Sequence, residues 1–68
     1  MNVILNGDRA RLDAEATVAD AVEAAGLGVP ARGVAVAVEG EVVPRGEWEA
    51  RRLREGESVE VVRAVQGG

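Results

Sequence analysis

At the start of the chain the apolar residues are Met1, Val3, Ile4, Leu5, Ala10 and Leu12, and Asn6-Gly7 stands between the two groups. A two-residue type I′ turn needs positive φ at both central positions, which Asn-Gly tolerates best. Folded about that turn, Leu5 faces Asp8, Val3 faces Ala10 and Met1 faces Leu12, while Ile4 pairs with Arg9 and Asn2 with Arg11 on the opposite face. The spacing predicts a hairpin of residues 2–6 and 8–13 with Val3, Leu5, Ala10 and Leu12 toward the core. Thr17-Val18-Ala19-Asp20 then has the form of a capping box with Asp in the usual Glu position. Val18, Ala21, Val22 and Ala25 make one helical stripe, which Gly26 ends. The breakers in Gly28-Val29-Pro30-Ala31-Arg32-Gly33 predict a loop. Beyond it, Val34-Ala35-Val36-Ala37-Val38 is β-branched at every second position and reads as a strand with its valines inward. Glu39-Gly40-Glu41 turns the chain into Val42-Val43, and Pro44, unable to donate to a ladder, ends the pairing.

From Glu47 to Arg54 the pattern fits two structures. Acids first and arginines last suit a helix macrodipole, but Trp48 and Leu53 could equally anchor a short turn. After Gly56, the alternation in Ser58-Val59-Glu60-Val61-Val62-Arg63 puts Val59 and Val61 on one face and Val62 on the other. Each element is apolar on only one side, so a single helix laid across one face of a mixed sheet buries them together. The expected class is α+β, a β-grasp with four to five strands and one main helix, in which the first and last strands are parallel neighbours. Its core comprises Val3, Leu5, Leu12, Val18, Val22, Val36, Val38, Leu53, Val59 and Val61. Residues 1–63 form the domain and 64–68 a flexible C-terminal tail, since the closing glycines have no side chains to pack and do not offset the roughly 1–2 kcal/mol per residue lost on ordering.

Composition narrows the chemistry. With 68 residues, 47% hydrophobic and 29% charged, the chain has room for one small core and is too apolar for disorder. It has no cysteine and no histidine, and every basic residue is arginine, so disulfides, thiolate or imidazole metal sites and the usual general base are excluded. Thr17 and Ser58 are the only hydroxyl side chains and have no Lys, His, Cys or Tyr to activate them. A carboxylate pair at glycosidase spacing needs a cleft that so small a core hardly provides. A self-contained enzyme is thereby disfavoured. A net charge of −4 argues against nucleic-acid or anionic-membrane partners and for a partner with a basic surface. Residues 1–6 lack a charged segment followed by an apolar one, so the expected location is cytoplasmic.

The sequence closes on Ala64-Val65-Gln66-Gly67-Gly68. A tail without Cβ atoms can enter a channel too narrow for side chains and deliver its α-carboxylate to another protein's active site. Five extended residues reach about 17 Å, enough to cross an enzyme's rim. A carboxylate ionised at neutral pH is a poor electrophile, so a partner must activate it.

Val42-Val43-Pro44-Arg45, Trp48, Leu53, Gly56-Glu57, Val59-Glu60-Val61-Val62 and the terminal Gln66-Gly67-Gly68 together closely resemble the ThiS family, the sulfur carrier of thiamine thiazole biosynthesis. The chain departs from the family pattern in having no phenylalanine, no lysine and an arginine-rich stretch at Arg51, Arg52 and Arg54. The resemblance implies a ubiquitin-like β-grasp and a protein co-substrate that is no catalyst itself. By position, Gly68 is the residue whose carboxylate an E1-like adenylating enzyme activates with ATP before its conversion to a thiocarboxylate, and Gly67 gives the tail clearance. The implied partners are that enzyme, thiazole synthase, and a cysteine desulfurase or other sulfur donor, with no cofactor bound to the chain. Three rival functions remain open: a carrier for molybdopterin or a specialised sulfur metabolite, a modifier forming isopeptide bonds, and a passive binding module. Trp48 is expected to anchor its turn and the three arginines to form a solvated face. Ile4 and Val62 are expected to stand together on the face away from the helix and to seat the domain on the adenylating enzyme, with Glu60 steering the approach.

Overall fold

The computed structural model describes residues 1–26 and 33–63. Among these, the strands are β1 (Asn2–Leu5), β2 (Asp8–Arg11), β3 (Val34–Val38), β4 (Glu41–Val42) and β5 (Ser58–Arg63). Helix α1 (Val18–Ala25) follows β2, and a 3-10 turn (Arg45–Glu47) lies between β4 and β5. The strands form one mixed sheet in the order β2-β1-β5-β3-β4, with β1 and β5 parallel at its centre. This is the α+β β-grasp expected from the element order, in the ubiquitin-like form that the resemblance implies. The loop expected over 28–33 lies almost wholly outside the described residues, as does the tail 64–68.

The first hairpin is set by its turn. Asn6 and Gly7 have φ of 52° and 87°, and the pairing runs Leu5 with Asp8, Ile4 with Arg9, Val3 with Ala10 and Asn2 with Arg11. At the start of α1, the Asp20 carboxylate accepts the Thr17 N–H at 2.8 Å. At its end, Gly26 takes the left-handed conformation and donates to the Glu23 carbonyl at 3.1 Å.

Val3, Val18, Ala21, Val36, Val38, Leu53, Val59 and Val61 are buried, while Leu5, Leu12 and Val22 pack half-buried at the rim. Val43 and Trp48 complete this cluster. Trp48 is 5% exposed, and its indole N–H donates to the Val43 carbonyl at 2.9 Å. The ring thus fills the core while its polar edge is satisfied by the chain it covers.

The segment 47–54 is a turn. The Val18 and Ala19 amides, which open α1, donate to the carbonyls of Arg51 and Trp48 at 2.9 and 3.1 Å. The Leu53 amide in turn donates to the Ala16 carbonyl at 3.0 Å. In a helix over 47–54 the Trp48 carbonyl would serve the Arg52 amide instead. The segment gives its carbonyls to the orphan N–H groups of α1, and so caps that helix from outside.

Glu57 closes the same segment. Its carboxylate accepts from the Arg54 N–H at 2.8 Å and from the Arg51 guanidinium at 3.1 Å, with Glu57 the better buried of the pair. Burial pushes the Glu57 carboxyl up, but the Arg51 hydrogen bond, the Arg54 N–H and the charges of Arg51 and Arg54 together hold it below its ordinary value. The contribution of this site to stability is therefore full above the ordinary glutamate range and is lost as pH falls through the lowered value. Glu57→Gln is expected to shift the denaturant midpoint down at neutral pH, with the gap to wild type closing below about pH 4. A gap that stays constant into acid would contradict the pairing.

Candidate functional site

Sheet alternation sorts the side chains of β5 into two sets. Val59 and Val61 point under α1, whereas Ser58, Glu60 and Val62 point to the opposite face. On β3 the valines take the inner side and Ala35 and Ala37 the outer. Across the outer face Val62 pairs with Ala35, Glu60 with Ala37, and Ala37 with Val42 of β4. Val42 and Val62 are 76% and 54% exposed, and they flank a floor made of the two small alanines. The result is a shallow apolar trough with Glu60 on its wall, beside the strand end that leads into residues 64–68.

Ile4 shares this face but does not stand beside Val62. The parallel register sets Ile4 against Ser58 and Leu5 against Val59, so Val62 lies four residues further along, about 13 Å at ~3.3 Å per residue. Alternation gives the face of each residue; only the stagger between β1 and β5 gives their separation. The apolar neighbour across the trough from Val62 is Val42, which sequence reasoning missed. Its signal was the Glu39-Gly40 pair. With φ of 51° and 85° these two residues make a two-residue turn, which forces Val42 opposite Ala37 on the outer side.

The Glu39 carboxylate reinforces that turn by accepting the Ser58 N–H at 2.7 Å, and the Ser58 carbonyl accepts the Glu39 N–H at 2.8 Å. Beyond the turn, the Val43 amide donates to Val36 at 2.9 Å and prolongs the pairing up to Pro44. The outer valine of β4 is thus held from both ends of its strand.

Of the three arginines of 51–54, Arg52 and Arg54 are exposed, as expected of a solvated face, and Arg51 is half-buried. Arg51 is committed to Glu57 and to the Arg52 carbonyl, and exposed Arg52 pairs with exposed Glu15 at 3.1 Å. A surface pair of that kind contributes little to stability. Among the described residues no group of acidic side chains is arranged to hold a metal ion, and no buried side-chain polar atom lacks a partner. No helix there is long and apolar enough to cross a membrane. What the described surface offers is an exposed apolar trough beside the end of β5. Gly67 and Gly68 lie outside the described residues.

No curated protein matches the chain. A crystal structure of a thiamine biosynthesis protein (ThiS) from Geobacter metallireducens is similar to it at 28% identity and a TM-score of 0.80, with all of each chain covered. A solution NMR structure of a thiamine biosynthesis protein from Geobacter metallireducens gives 28% identity and a TM-score of 0.77, covering 100% of this chain and 88% of that one. The ThiS family model matches residues 3–68, which span all of the β-grasp but the first residue of β1 and include the closing Gly67-Gly68, and the chain belongs to the ThiS family.

Proposed function

We propose that the chain is a sulfur carrier protein for thiamine thiazole formation, a co-substrate that partner enzymes act upon. The observation that carries this reading is the family match over residues 3–68, which includes the terminal glycines. In this reading an E1-like enzyme adenylates the Gly68 carboxylate at the expense of ATP. A sulfide-level donor displaces AMP directly and leaves a thiocarboxylate, whereas the persulfide of a cysteine desulfurase displaces AMP to give an acyl disulfide, which a thiol then reduces to the thiocarboxylate as it forms a disulfide; thiazole synthase consumes the product. Adenylation converts a resonance-stabilised carboxylate into an acyl group with a good leaving group, so the energy comes from ATP and the carrier needs no catalytic side chain. The scarcity of reactive groups supports this division of labour: a chain without cysteine or histidine carries sulfur on its main-chain terminus.

Intact mass after incubation with the adenylating enzyme, ATP and a sulfur source tests the reading. The expected result is the gain of one sulfur in exchange for one oxygen at Gly68. An unchanged mass overturns it, and a ladder of conjugates on denaturing gels of cell lysate would favour a protein modifier.

The outer trough is the surface proposed to seat the domain on the adenylating enzyme, with Val62 on one flank of its alanine floor, Glu60 steering toward a basic rim and Ile4 at the far end of the same face. Val42 joins this set because it lies across the alanine floor from Val62. Val42→Ser combined with Val62→Ser is expected to leave the denaturant midpoint nearly unchanged, since both side chains are exposed, and to raise the KM for adenylation with kcat preserved. Ile4→Ser alone is expected to have a smaller effect. Unaltered kinetics in the double variant would remove the trough from the interface.

A further inference from the structure

Asn6 does more than turn the first hairpin. Its side-chain amide donates to the Val61 carbonyl at 3.1 Å, and its side-chain oxygen accepts the Val61 N–H at 2.8 Å. Both main-chain groups of one β5 residue are therefore captured by one carboxamide. The reason lies in the ladder. On the side facing β1, the Glu57 carbonyl accepts from Ile4 and the Val59 carbonyl from the Asn6 main chain, at 2.8 and 2.9 Å. The next residue to face that way is Val61, but β1 has ended at Leu5 and the chain is turning back toward Asp8. The left-handed conformation of Asn6, φ 52°, aims its side chain along the line that β1 has left. A carboxamide has the donor and acceptor of a peptide group, so it extends the parallel ladder by one step without a further strand residue.

We infer that Asn6 is a positioning residue, a clamp that keeps β5 paired on both sides up to Val61 and so fixes the root from which the segment ending in Gly68 departs. The delivery role rests on the proposed function. Without the carboxamide, β5 loses its pairing at Val61 on the β1 side, while its antiparallel pairing with β3, which runs to Val34 opposite Arg63, remains. The root then samples a wider range of directions, and a bound carrier presents its carboxylate in the reactive geometry less often. Docking through the outer trough is expected to persist, because Glu60 and Val62 are held by their pairing with Ala37 and Ala35 of β3, on the side of β5 away from Asn6.

Two variants separate this from a general loss of stability. Asn6→Gly keeps the turn, since glycine accepts positive φ freely, and deletes both side-chain hydrogen bonds. Asn6→Asp keeps the turn and the acceptor but, when ionised, sets a negative oxygen against the Val61 carbonyl. Hydrogen exchange of the Val61 amide and steady-state adenylation are measured on the full chain. Expected for Asn6→Gly is loss of Val61 protection and a fall in kcat of roughly tenfold with KM within about twofold. A merely structural role does the reverse: an unfolded fraction lowers the concentration of competent carrier, raising apparent KM and leaving kcat alone. Asn6→Asp is expected to lose kcat as well and to regain Val61 protection in acid, where a protonated carboxyl again has one donor and one acceptor. Unchanged exchange at Val61, or unchanged kcat despite lost protection, overturns the inference. A wild-type chain that is never adenylated overturns the proposed function and with it the delivery role, while the exchange rates of the two variants still read the clamp by themselves.

Discussion

Truncating Trp48 to alanine is expected to leave the chain mostly unfolded at physiological temperature. The ring is 5% exposed and sits in a cluster with Val18, Val43 and Leu53, so its removal opens a cavity that the surrounding valines cannot fill. Large aromatic-to-alanine changes of this kind cost about 3–5 kcal/mol. A single core of this size rarely supplies more than about 3–5 kcal/mol in total. The deletion also removes the donor that satisfies the Val43 carbonyl and frees the segment whose carbonyls cap α1, so helix and turn are lost together. Trp48→Phe separates the two contributions. It keeps most of the apolar volume and leaves the Val43 carbonyl without its donor, for an expected cost of about 1–3 kcal/mol. Circular dichroism and denaturant midpoints give the result. A folded Trp48→Ala chain with its midpoint near that of wild type would show that the indole is not the keystone of this core.

How much of this was legible in the sequence follows from how far each structural cause lies from its effect. The Asn6-Gly7 hairpin, the Thr17 to Asp20 cap and the valine face of β3 are set by neighbours within a few residues, and the pattern gives them with their register. The parallel pairing of β1 with β5 follows from elements that are each apolar on one side only and must be buried together. The turn at 47–54 was undecidable locally, because its carbonyls are consumed by Val18 and Ala19, about 30 residues earlier in the chain. The local pattern makes Trp48 an anchor of that turn, but its depth in the core depends on Val43 and α1 closing over it.

The candidate site divides the same way. Gly67 and Gly68 are visible in the sequence as glycines, and it is the resemblance to the ThiS family that gives them a role. The face of Val62 was legible from alternation. Its distance from Ile4 was not, because the stagger of two strands more than 50 residues apart is a tertiary quantity. Val42 was hidden by Glu39, a residue that seldom adopts positive φ and so disguised a two-residue turn as a longer one. The second use of Asn6 was hidden for a related reason. A turn residue explains its own presence, and nothing in the local pattern shows that its side chain also completes a distant ladder.

Removing Gly68 is expected to abolish carrier function while leaving the domain folded. The described core runs from Val3 to Val61, so shortening the chain at its far end removes none of it. The shortened chain still ends in a glycine carboxylate, Gly67, with the same charge and the same freedom from side chains. What changes is reach: the carboxylate falls back by one residue, about 3.3–3.6 Å. A displacement of ~1 Å from a reactive geometry can lower a rate about 10²-fold, so adenylation should fall by at least that factor even though the acid itself is intact. Gly67→Val tests the other half of the argument. It restores the length and adds only a branched side chain, and it is expected to impair adenylation wherever the partner's channel admits backbone alone. The pair of variants discriminates among functions as well. A passive binding module is indifferent to both changes, and a carrier whose tail reaches loosely into an open site tolerates the valine but not the deletion. Pyrophosphate release driven by each variant, measured beside wild type at equal folded fraction, gives the answer. Equal rates for the chain lacking Gly68 would show that the reach of the terminal carboxylate does not govern its activation.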